Sequence, residues 1–89
     1  MPGPALPVAV EAELRRIALR WAQLAFASAA DRMPLVHSVV EALAGEPVPD
    51  LGPAVVIDQL RVVAYDACVA GAHEADIATR LVALRRSLV

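Results

Sequence analysis

Apolar residues recur along this chain at alternating steps of three and four, the period of a helix packed along one side. In the first such interval, about residues 8–30, Val10, Leu14, Ile17, Trp21 and Leu24 form the stripe, widened by Ala18, Ala25 and Ser28. Glu11 and Glu13 lie near its start, where the helix dipole favours negative charge. A second helix is predicted over about 34–44, led in by Asp31 or Met33, with Pro34 in its first turn and Gly45 past its end. Leu35, Val36, Val39, Val40 and Leu43 make its buried face.

The third helix is predicted over about 53–70, with Val56, Ile57, Leu60, Val63, Ala64 and Ala67 inward, Leu51 stapled onto Val56, and Gly71 as terminator. The fourth, about 73–88, turns Ile77, Leu81, Leu84 and Leu88 inward. Glu74 and Asp76 open it, Arg85 and Arg86 close it, and Asp76 stands four residues before Arg80. The predicted fold is all-α: an antiparallel four-helix bundle in one domain over 8–89, preceded by a frayed segment 1–7. The short connections imply antiparallel neighbours. Segment 45–53, with three prolines and two glycines, reads as a stiff spacer or a rigid docking edge.

Composition changes this picture in one respect. A domain of 89 residues hides only about 60–65% of the surface its unfolded chain exposes, so a monomer needs a generous polar coat. Yet 58% of the residues are hydrophobic, 20% are charged, and the mean hydropathy is +0.57. Gln23, Asp58, Arg61 and Asp66 interrupt the apolar runs, so a membrane span is not expected. The opening residues lack the basic and apolar blocks of a leader, which points to a cytoplasmic protein. Cys68 is the only cysteine, so an internal disulfide is ruled out. A net charge of −2 predicts neither a strong nucleic-acid footprint nor attraction to anionic lipid. Protein–protein association is the remaining outlet for the surplus.

That surplus is local. On the third helix Val55, Val62 and Val69 share a narrow sector opposite the core face, flanked by Asp58, Gln59 and Asp66. Leu19, Phe26 and Met33 repeat the seven-residue spacing off the main stripe of the first. Contiguous exposed apolar patches mark interfaces, and two-fold dimers are the commonest way to bury them. These six residues are therefore the expected interface, with a second copy or another helical protein as partner.

Candidate chemistry is sparse. His37 and Glu41 stand one turn apart and His73, Glu74 and Asp76 cluster, but no metal-ligand motif joins them, and neither a metal nor another cofactor is expected. Cys68 sits at the edge of a core face, and Trp21 reads as a core anchor. His37-Ser38-Val39 resembles the phosphopantetheine attachment serine of carrier proteins over those three residues. Leu35 and Val36 replace the glycines expected before the histidine, and the family's long first loop is missing, which places Ser38 inside a helix. With no acid, base and nucleophile constellation, the expected function is a non-catalytic interaction module. The alternative is nucleic-acid binding by an incomplete helix-turn-helix-like unit in the third and fourth helices, using Arg80, Arg85 and Arg86. Glu74 and Asp76, at the turn that would meet phosphate, oppose it.

Overall fold

A computed structural model describes residues 6–88 of the chain. Its four helices are α1 (Val8–Gln23), α2 (Phe26–Ala44), α3 (Val56–Val69) and α4 (Glu74–Ser87), with no strand among the described residues. They pack as a four-helix bundle around one core. α1 contributes Val10, Leu14, Ile17 and Trp21; α2 contributes Ala29, Met33, Val36 and Val40; α3 contributes Val56, Leu60 and Ala64; α4 and its cap contribute Ile77, Leu81, Leu84 and Leu88.

The main packing pairs are α2 with α3 and α1 with α4. Consecutive helices joined by short links touch only slightly, so the antiparallel contact falls between helices that are not neighbours in sequence. α2 and α4 make it: Leu35 and Val39 line one hollow with Ala83 and Ser87 from the end of α4, and Leu43, near the end of α2, lines another with Asp76 and Ile77 from the start of α4.

The first two helices divide earlier than the residue pattern predicts. α1 stops at Gln23, Leu24 (φ −77°, ψ 139°) and Ala25 (φ −62°, ψ 151°) are extended, and α2 begins at Phe26. None of these residues is a helix breaker, so the reason is tertiary. Continuing the phase of Ile17 and Trp21 would turn Ser28 and Asp31 inward. Two extended residues reset that phase and bring Ala29, Met33, Val36 and Val40 to the core instead, while Leu24 still packs against it. Pro34 consequently lies inside α2, not in its first turn. It cannot donate to the Ala30 carbonyl, but both residues are exposed, where water replaces the missing bond.

Gly45, at φ 72°, ends α2 in the left-handed conformation and donates its N–H to the Glu41 carbonyl. The connector is then pinned along its length. Val48 N–H donates to Glu41 Oε2 (3.0 Å), Gln59 Nε2 to the Pro49 carbonyl (3.0 Å) and Trp21 Nε1 to the Pro53 carbonyl (2.9 Å). A turn in which Val55 and Val56 donate to the Gly52 carbonyl leads into α3, three residues later than predicted. Leu51 is exposed and does not staple onto Val56, which is buried among the core residues.

Of the segment expected to fray, residues 1–5 lie outside the described residues; Leu6 packs against the core and Pro7 caps α1. No helix among the described residues is long and apolar enough to cross a membrane.

Candidate interaction surface

α3 is apolar on two opposite faces. Val56, Leu60 and Ala64 point inward and are fully buried. About 180° around the helix, at about 100° per residue, stand Val62 and Val69, 58% and 59% exposed, with Tyr65 between them also exposed. Val55, the residue capping α3, is half-buried at the start of the same sector. Seven-residue spacing finds the valines; Tyr65 escapes it because it lies three residues from one valine and four from the other, the complementary step of the same helical face. Exposed Arg61 borders this strip on one side and exposed Asp66 on the other, with exposed Asp58 inside it.

The second predicted stripe is divided by the corner at Leu24–Ala25. Leu19 stays on the outer side of α1, in a shallow hollow with Arg16, Arg20, Gln23 and Arg85, and is exposed. Phe26, the first residue of α2, is 78% exposed. Met33, expected to continue the stripe, is instead a core residue at 7% exposure. The reset phase of α2 turns it inward, so the exposed part of that stripe ends at Phe26.

The polar counterpart of the core is Glu13, a residue that the sequence marks only as negative charge near the start of α1 and that the fold encloses to 6% exposure. Its carboxylate accepts from Arg85 Nε on α4 (2.7 Å) and from Arg16 on its own helix (2.8 Å). Burial pushes the Glu13 carboxyl up, but the hydrogen bonds and charges of Arg85 and Arg16 outweigh it and hold the group below its ordinary value. Nearby, Arg20 Nε donates to the Leu88 carbonyl (2.8 Å), closing α1 onto the end of α4. The spacing of Glu13 from the core residues Val10 and Ile17, three before and four after it, was the available sign that it shares their face.

This arrangement bears on the nucleic-acid residues. Arg80 and Arg86 are exposed, but Arg85 is committed to Glu13. α3 and α4 touch only slightly, unlike the packed pair of a helix-turn-helix. Glu74 and Asp76 are exposed in the first turn of α4.

His37 and Glu41 do meet, Nε2 to Oε1 at 3.6 Å, and both are partly buried. Glu41 spends its other oxygen on the Val48 N–H, so its clearest role is to hold the connector against α2. No group of three metal-ligating side chains occurs among the described residues. Ser38 is exposed in the interior of α2, and Cys68 is partly buried against the core. Three open hollows are lined chiefly by aliphatic side chains, alanines and isolated charges, whereas the one around Leu19 gathers Arg16, Arg20, Gln23 and Arg85, and another at the start of α4 holds His73, Asp76 and Arg80. No protein family, curated protein or solved structure matches the chain.

Proposed function

We propose that the protein is a non-catalytic helical interaction module that self-associates through the apolar sector of α3, with Leu19 and Phe26 as further contacts. The outward face of α3 carries this reading: Val62, Tyr65 and Val69 are exposed on one strip, directly behind the fully buried Val56, Leu60 and Ala64. A helix apolar on two opposite faces is best kept from water when both are covered, and the bundle covers one. A second copy presents the same strip, which makes a two-fold dimer the simplest closed solution.

Sedimentation at micromolar concentrations tests this directly. The expected result is a concentration-dependent dimer that becomes monomeric in Val62→Glu and weakens in Phe26→Glu, with helical content and melting temperature of the monomer retained. A wild-type protein that sediments as a monomer throughout sinks the proposal.

A further inference from the structure

We infer that two copies pair in parallel along α3, with Arg61 of each copy opposite Asp66 of the other. The inference rests on the self-association proposed above and specifies its register. Val55, Val62 and Val69 recur every seven residues, and Asp58 and Tyr65 follow three residues after the first two of them. These are the a and d positions of a two-stranded coiled coil, and in parallel coiled coils β-branched residues at a favour two strands over larger assemblies. In that frame Arg61 occupies g and Asp66 the following e.

Charge decides between the two directions. About a parallel dyad, the g flank of one helix faces the e flank of the other, so the five-residue step from Arg61 to Asp66 produces two symmetric opposite-charge pairs. An antiparallel dyad brings like flanks together, setting the Arg61 side against itself and the Asp66 side against itself. Both side chains are available: each residue is exposed, and neither takes part in the ion pairs found among the described residues. Asp58 is the one charge on the seam. It lies in the first turn of α3, where the helix dipole favours it, and in the parallel register it faces its own copy, so its repulsion across the dyad weakens the pair.

Two experiments test the register apart from association itself. In a Cys68→Ser background, Val62→Cys and Val69→Cys are oxidised separately. A parallel seam brings each cysteine close to its own copy, within the roughly 7 Å Cα separation a disulfide tolerates, so both variants cross-link. An antiparallel seam permits at most one. Arg61→Asp and Asp66→Arg should each weaken the dimer about tenfold, and the double swap should restore it. Asp58→Ala should tighten it. A wild-type dimer in which one cysteine or neither cross-links, or in which the swap fails to rescue, overturns the parallel register and leaves self-association standing. A monomeric wild type removes both.

Discussion

The α1–α4 seam and the outward face of α3 are built from the same parts and end in different states. Each has a strip of aliphatic side chains bordered by an acid and an arginine. Along α1 and α4, Leu14, Ile17, Leu81 and Leu84 are buried, and Glu13 with Arg85 closes the border at 2.7 Å. On α3, Val62 and Val69 are open and Arg61 and Asp66 make no ion pair among those found in the described residues. The closed seam shows what such a strip becomes when a complementary helix lies on it. The open one has the composition of a seam without a neighbour among the described residues.

The comparison is tested first at its deepest point. Leu60→Ala, behind the open strip, should cost about 2–5 kcal/mol in denaturant unfolding, a large share of the stability of a small domain. A cost comparable to that of a surface residue would mean that α3 is not anchored by its inner face.

Glu13→Gln should cost less, about 1–2 kcal/mol, because Arg85 remains partly open to water and rehydrates when its partner is lost. Its pH dependence has a definite sign. Since the Glu13 carboxyl titrates below its ordinary value in the folded protein, its contribution is complete above the unfolded-state value of about 4.3 and disappears as pH falls through the folded value. Denaturation midpoints should therefore drop more steeply in acid for the wild type than for Glu13→Gln; parallel acid limbs would show that the pair contributes nothing.

Trp21→Phe keeps most of the buried ring and removes the bond to the Pro53 carbonyl. A loss of about 1 kcal/mol is expected in thermal unfolding, with earlier proteolysis of the connector. Val62→Glu has the smallest effect on the monomer, within about 0.5 kcal/mol, since the site is already in water. Its effect should appear in the oligomeric state. If it unfolds the chain instead, the two faces of α3 are not separable and the contrast between closed and open seams fails.

Most of the core was legible in the residues. Ile77, Leu81, Leu84 and Leu88 stand at helical spacing with polar residues between them, and periodicity alone assigns them inward, as the fold does. The outward valines of α3 were legible for the same reason, because a helix without interior breaks keeps its phase from one end to the other. Asp76 and Arg80, spaced for an ion pair, do not appear among the pairs formed, which suits an exposed contact worth only tenths of a kcal/mol.

By itself, then, the sequence determined the helical class, the inward faces and the surplus apolar strip on α3, since each follows from local periodicity. Tertiary structure decided the corner at Leu24–Ala25, the burial of Met33 and the enclosure of Glu13. Gln23 through Phe26 carry no breaker, and the angle there arises from the fit of Trp21 and Leu24 on one side against Ala29 and Met33 on the other. Glu13 is tolerated in the core because Arg85, 72 residues away in the chain, joins Arg16 in pairing with it. A helix's phase is written in its own residues, but the place where one helix must stop and turn is set by what it packs against.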